Sequence, residues 1–187
     1  MRKLVLATAL LTLPLSAALA ADSYTIDPAH TFPHFTINHL GFSTMHGRFD
    51  STKGKITIDK ANNTGSVDIV IDARSVDTAF KKRDEHLRSP DFLNVGEFPE
   101  ITFKSTKVTL NGGTATVKGN LTLLGTSKPV TLDVNNMKCG VHPFSKKEVC
   151  GFNATAAIKR SDFGVKYGLP AIGDDMNLTF EVEAVKN

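Results

Sequence analysis

From Ala21 onward, apolar residues recur at every second position in short runs broken by Gly, Asn and Pro, the pattern of strands with one buried face. Phe35 and Ile37 share a face with His39, Ile56 pairs with Ile58, and Val67, Ile69, Ile71 and Ala73 follow the turn Asn62-Asn63-Thr64-Gly65. Ile101 and Phe103, then Val108 and Leu110, lead into the turn Asn111-Gly112-Gly113, after which Ala115, Val117, Gly119, Leu121 and Leu123 alternate with polar residues. Val130, Leu132 and Val134 come next, then Phe152, Ala154, Ala156 and Ile158, and finally Leu178, Phe180 and Val182. About eight or nine strands at hairpin spacing predict an all-β antiparallel sandwich or closed barrel. No repeat, low-complexity tract or linker divides the chain.

One segment resists the alternation. Ser75 to about Arg88, with a helical region placed near residues 75–94, reads as an insert rich in ionisable side chains. On a helical wheel from Val76, the residues Val76, Phe80, Arg83, Asp84 and Leu87 share a face, which places an Arg and an Asp on the inward stripe. Buried charges need partners. Two readings stand: a structural plug in which Asp84 pairs with Arg88 one turn on, or a polar group at the mouth of a ligand cavity. The small residues Ala115, Val117, Gly119, Ala154 and Ala156 pose a parallel choice between a filled, tapering barrel and one with an apolar hollow.

The first residues change the picture of where the chain works. Met1-Arg2-Lys3, the apolar run Leu4 to Leu15 and the small residues Ser16-Ala17-Ala18-Leu19-Ala20 form a secretory signal peptide over residues 1–20, of bacterial character, so residues 21–187 are expected in the periplasm as one domain. The apolar core is shorter than the roughly 20 residues of a membrane span. Cleavage removes Arg2 and Lys3, so the formal charge of +3 overstates how basic the working protein is, and no basic run suits nucleic acid or a membrane patch.

Cys139 and Cys150, with ten residues between them in an exported chain, predict a disulfide closing a hairpin loop, worth about 3 kcal/mol in the chain-entropy treatment. The competing use, Cys139, His142 and Cys150 as metal ligands, lacks a fourth ligand nearby. His30, His34, His39 and His46 lie close in sequence, but on a strand His30 and His34 are roughly 13 Å apart and His39 faces the other way. No metal is expected. His39, on the Phe35–Ile37 face, points inward to bond a ligand or a buried carboxylate. Nucleophile-elbow, Walker, dinucleotide and His-Glu-x-x-His motifs are absent.

His30-Thr31, Phe35, Ile37, His39-Leu40-Gly41, Gly47 and Phe49 form an ordered series with Arg83-Asp84, His86-Leu87, Asp91-Phe92, Phe98-Pro99, Ile101, Phe103 and Ser105. Together with Gly119-Asn120-Leu121-Thr122, Lys128-Pro129-Val130 and Arg160-Ser161-Asp162-Phe163-Gly164, it resembles the YceI-like polyisoprenoid-binding proteins across the whole exported chain. The resemblance implies a lipocalin-like barrel closed at one end by a helical segment and enclosing a long isoprenoid, a quinone or a prenyl phosphate, with no catalysis and no cofactor. It implies a periplasmic carrier working beside inner-membrane redox or envelope-synthesis proteins. Carried onto this chain, Arg83, Asp84 and His86, with His39, sit at the entrance for the head group. Phe35, Ile37, Phe103, Leu121, Phe163 and Phe180 line the tail channel, joined by Phe49, Ile69, Ile71, Leu87, Phe92, Ile101 and Leu123. An enzyme or enzyme inhibitor using Arg83, Asp84 and His86, and an interaction module with a filled barrel, remain as alternatives. Two departures stand out: Pro33, which suggests a first long strand that starts late or lies at an edge, and the Cys139/Cys150 loop, expected to shape the entrance.

Overall fold

Eleven β-strands, three short 3-10 turns and one α-helix make up residues 21–187, the part of the chain that this computed structural model describes; the signal peptide expected over residues 1–20 lies outside the described residues. The strands are β1 (Asp22–Ile26), β2 (Phe32–His39), β3 (Ser43–Phe49), β4 (Thr52–Asp59), β5 (Thr64–Asp72), β6 (Val76–Asp77), β7 (Glu100–Asn111), β8 (Thr114–Leu123), β9 (Thr126–Val141), β10 (Glu148–Lys159) and β11 (Ile172–Lys186), with α1 (Lys81–Arg88) after β6. Eight of them close a ring in the order β1-β4-β5-β7-β8-β9-β10-β11, sealed by the β1–β11 pairing. Every pairing is antiparallel, as the alternating pattern required. An eight-stranded barrel leaves an interior wide enough for side chains or one small ligand.

The turns are built by local chemistry. Asp59 accepts from the Asn62 backbone N at 3.0 Å and from Asn62 Nδ2 at 2.8 Å, and Asn63 takes the left-handed φ of 52° that reverses β4 into β5. At the β7–β8 hairpin Gly112 supplies the same need with φ 64°. Along β8 the inward residues Ala115, Val117, Gly119, Leu121 and Leu123 are buried and their neighbours are not.

The wall is asymmetric because its first strand is broken. Asp27 caps a 3-10 turn, Pro28–His30, by accepting from Ala29 N at 2.9 Å, and this turn offsets β1 from β2. Both continue along one edge of β11, β1 opposite Ala184–Lys186 and β2 opposite Ile172–Glu181. β1 then meets β4 and closes the ring, whereas β2 carries β3 and β6 away from it. Pro33 lies inside β2, opposite Phe180, so the strand does not start late; the first β2–β3 pair is His34 with Arg48, so Pro33 occupies a local edge on that side.

The helical insert is shorter than its wheel implied. Ala73–Ser75 is a 3-10 turn, Val76–Asp77 pairs with β3, and only Lys81–Arg88 is α-helical. Competition from the β3 edge takes Val76 out of the wheel, and Phe80 stands at the helix N-cap with more than half its surface exposed. Residues 89–98 continue as turns, closed by bonds such as Leu93 N to Leu87 O at 3.0 Å.

Candidate functional site

Phe35 and Phe103 show how an eight-stranded barrel keeps room inside. Phe35 lies directly opposite Gly47 on β3, and Phe103 crosses the β7–β8 pair toward Gly119. A Cβ on either glycine would collide with the Cζ end of the ring. Two large rings therefore lie flat against the wall, and the interior they would otherwise fill stays open. Gly119 is thus a seat for Phe103 and not itself a hollow.

Inside the barrel, among the described residues, the open space falls into two adjoining chambers. The deep one, about 120 Å³, is enclosed by Ile56, Ile58, Ile69, Phe103, Val117, Val134, Phe152 and Ala154 among others. The outer one, about 330 Å³, extends under α1, β2 and β3. Ile71, Leu121, Leu178, Phe180 and Pro33 line both and form the wall that the two share. The outer volume is at the lower end of the range of small-molecule sites. A barrel packed solid with side chains is therefore overturned.

At the closed end Tyr24, Cys150 and Ala184 are fully buried. Tyr24 Oη donates to Glu148 Oε1 at 3.1 Å, and Lys186 Nζ reaches Asp22 at 2.8 Å and Glu148 at 3.2 Å. Burial first, and then the Glu148 carboxylate, push the Tyr24 phenol up to about 12. Cys139 and Cys150 are directly opposed across β9 and β10, Cα atoms 4.0 Å apart, and bonded to each other. With both sulfurs in this bond, neither cysteine is a thiolate ligand to a metal, and His142 Nδ1 accepts from the backbone N of Ser145 at 3.1 Å. The stapled hairpin is at the β1 end of the barrel, since Cys150 pairs with Ala184, while α1 covers the other end. The expectation that this loop shapes the entrance is overturned: hairpin connections alternate between the two ends, and β9–β10 turns at the end remote from β5–β7 and β10–β11.

The sequence-derived apolar residues divide cleanly. Ile69 and Phe103 line the deep chamber, Ile71, Leu121 and Phe180 line both, and Phe35, Ile37, Phe49, Leu87, Phe92, Ile101 and Leu123 line the outer one. Phe163 does not line either. It is 2% exposed in a 3-10 turn, Arg160–Phe163, which turns its ring into the packed core outside the chambers.

Of the head-group candidates, His39, Arg83 and His86 line the outer chamber. Asp84 does not. It is 6% exposed and accepts from the backbone N of Thr78 at 2.9 Å and from Thr78 Oγ1, closing the strap between β6 and α1. Arg83 clasps the same residue, Nε donating to Thr78 Oγ1 at 2.7 Å and Nη2 to Thr78 O at 2.6 Å. The expected pairing of Asp84 with Arg88 is also absent, because Arg88 spends its guanidinium on the carbonyls of Arg74 and Val76, both at 2.7 Å. His86 Nε2 meets Asp91 at 2.8 Å and stacks edge-on with Phe92 and Tyr167. Arg83, Asp84 and His86 therefore do not converge on a common point, and a shared catalytic role for the three has no geometric basis.

The residue that sequence reasoning passed over is Arg160, 2% exposed on the chamber wall. Its guanidinium donates to four carbonyls: Gly173 at 2.8 Å, Tyr167 at 2.9 Å, Ile172 at 3.1 Å and Val165 at 3.2 Å. Desolvation lowers its pKa, and the Asp174 charge opposes that. Asp174 accepts from Ser161 N at 2.9 Å and Ser161 Oγ at 2.8 Å, and these bonds hold its own carboxyl below the usual range. Arg160 thus fixes the loop of residues 164–171 that carries Tyr167 and Val165 to the mouth. The alternation Ala154, Ala156, Ile158 extends to residue 160 and was the signal that it faces inward.

Residues 24–184 match the YceI-like domain family. The UPF0312 protein of Pseudomonas paraeruginosa is 42% identical over 172 residues, spanning 90% of this chain and 89% of that one. Protein YceI of Salmonella arizonae is 41% identical over 173 residues, 91% and 90% of the two chains. Among solved structures, the Campylobacter jejuni YCEI protein superposes with a TM-score of 0.66 at 31% identity, over 80% of this chain and 90% of that one. A domain from Saccharophagus degradans described as polyisoprenoid-binding and implicated in plant cell wall breakdown has the same fold, with a TM-score of 0.63 at 17% identity over 88% and 98%.

Proposed function

The chain belongs to the YceI-like domain family, and from that premise we propose that its barrel carries one lipid with a long isoprenoid tail, a quinone or prenyl phosphate among the candidates, in the periplasm. The observation that carries this reading is the pair of adjoining chambers, walled almost wholly by hydrocarbon and opening beside a small polar group. A polar substrate would find no partners in the deep chamber. A tail would: each buried isoprene unit contributes about 4 kcal/mol gross at roughly 0.8 kcal/mol per carbon, against about 1 kcal/mol for one neutral head-group hydrogen bond.

In this reading the tail threads past Phe180 and Leu121 toward Phe103, and the head stays near Arg83, His39 and His86. The polyisoprenoid-binding description of the Saccharophagus degradans domain supports the ligand class through a shared fold. Export and transfer between partners at the inner membrane are part of the proposal, founded on the sequence of residues 1–20. Native mass spectrometry of freshly purified protein, before and after organic extraction, tests it. A stoichiometric lipid adduct that extraction removes is the expected result; a bare chain whose melting temperature also ignores added polyisoprenoid would end the proposal.

A further inference from the structure

Six large apolar side chains stand well exposed among the described residues, and they gather at the two ends of the barrel. Val141 and Phe144 are on the stapled hairpin at the closed end. Leu40 (47% exposed), Phe42 (88%), Phe80 (55%) and Tyr167 (49%) are at the open end. Their placement around one opening follows from the pairing. Leu40 donates its backbone N to Ala171 O at 3.0 Å, which ties the β2–β3 turn to the loop carrying Tyr167. The Tyr167 ring is 5.1 Å from His86 on α1. β6 runs antiparallel to β3 from Phe49 toward the turn, so Phe80, three residues beyond β6, advances toward Phe42.

We infer that this rim docks onto the surface of a phospholipid bilayer carrying anionic lipid. The three segments that carry these tips, residues 38–47, 78–82 and 164–172, contain three lysines, Lys81, Lys82 and Lys166, and no carboxylate; the exposed acids of this end, Glu85, Asp91 and Glu97, are on α1 and the turns after it, and Asp91 is paired with His86. All three lysines are exposed. A surface whose exposed aromatic and aliphatic tips stand beside cations matches the interfacial layer of a membrane with negative headgroups. A protein partner of ordinary composition would have to cover these exposed lysines instead. The apolar lining of the outer chamber also reaches this rim through Tyr167 and Ile172. A tail therefore passes between bilayer and barrel along a hydrocarbon path. That last step rests on the carrier reading; the docking itself does not.

The test is flotation of the delipidated chain with vesicles of phosphatidylcholine containing phosphatidylglycerol, prepared without any isoprenoid. Wild type is expected to float at low ionic strength and less so as salt is raised. Phe42→Ser should weaken partitioning roughly tenfold, and Lys81→Glu with Lys82→Glu should remove its dependence on phosphatidylglycerol. Phe144→Ser is the control, equally exposed at the opposite end, and should float like wild type. Wild type that fails to float, or a Phe144→Ser variant that loses as much as Phe42→Ser, overturns the inference. Because the vesicles hold no cargo, either failure leaves tail binding by the barrel to be judged separately.

Discussion

Replacing Arg160 by Met keeps most of the side-chain volume and removes every donor. Four carbonyls, those of Val165, Tyr167, Ile172 and Gly173, lose their partner in a site where Arg160 itself is 2% exposed. Hydrogen bonds to a charged donor contribute about 1.5–3 kcal/mol each. Four of them sum to more than the real loss, since removing the guanidinium also relieves its burial. Deleting one partner of such a buried charged cluster costs about 3–5 kcal/mol, which lowers the melting temperature by roughly 6–20 °C for a domain of this size. Arg160→Lys should recover only part of this, because one ammonium cannot reach four carbonyls arranged around a planar fork. Denaturant unfolding gives the stability change, and amide exchange shows where it falls. Protection should drop first over residues 164–173. A loss under about 1 kcal/mol, or exchange that rises evenly around the barrel, would refute the claim that Arg160 holds the mouth loop.

Gly119→Val should be strongly destabilising, and calorimetry should show it, because the new side chain would occupy the seat of the Phe103 ring and displace it into the deep chamber. Thr52→Val should leave stability unchanged or raise it by about 1 kcal/mol in chemical denaturation, since Thr52 Oγ1 is buried with no hydrogen-bond partner among the described residues. Cys139→Ser with Cys150→Ser should lower stability by about 3 kcal/mol or less while circular dichroism keeps the β signature; two free thiols in the oxidised wild type would refute the bond. Tyr24 is held protonated in the fold, its phenol raised from 10.0 to about 12, so the stability it contributes is complete below pH 10 and is lost as pH rises through about 12. Melting curves should show that decline for wild type and a shallower one for Tyr24→Phe.

The strands were legible because each is buried on one face only, and Leu121, Phe103 and Phe180 fall where period-two alternation puts them. The break between β1 and β2 was not, since an Asp27-capped 3-10 turn of three residues leaves almost no mark on that alternation. Asp84 was correctly marked as an inward charge, but its partner proved to be the Thr78 strap and not a side chain one turn away. A helical wheel cannot anticipate that, because Thr78 is outside the helix. The role of Phe163 was carried over from a motif and failed for a local reason, a 3-10 turn that rotates the ring away from the chambers. Arg160 was in plain sight within the same motif. Its parity with Ala154, Ala156 and Ile158 says that it faces inward, but nothing in sequence says that its partners are carbonyls of the loop and the start of β11, up to thirteen residues further on.

The claim that the chambers hold a tail is tested most directly by titrating delipidated protein with prenyl alcohols of two, three, four and more isoprene units and measuring affinity by calorimetry. Affinity should climb by at least about tenfold per added unit while the tail still gains wall to cover, then level off once the deep chamber is filled; Phe103→Asp, which sets a charge there, should flatten the climb, and Arg83→Ala should leave its slope unchanged. Affinities that ignore tail length in the wild type, or a slope that Phe103→Asp does not alter, would contradict the account.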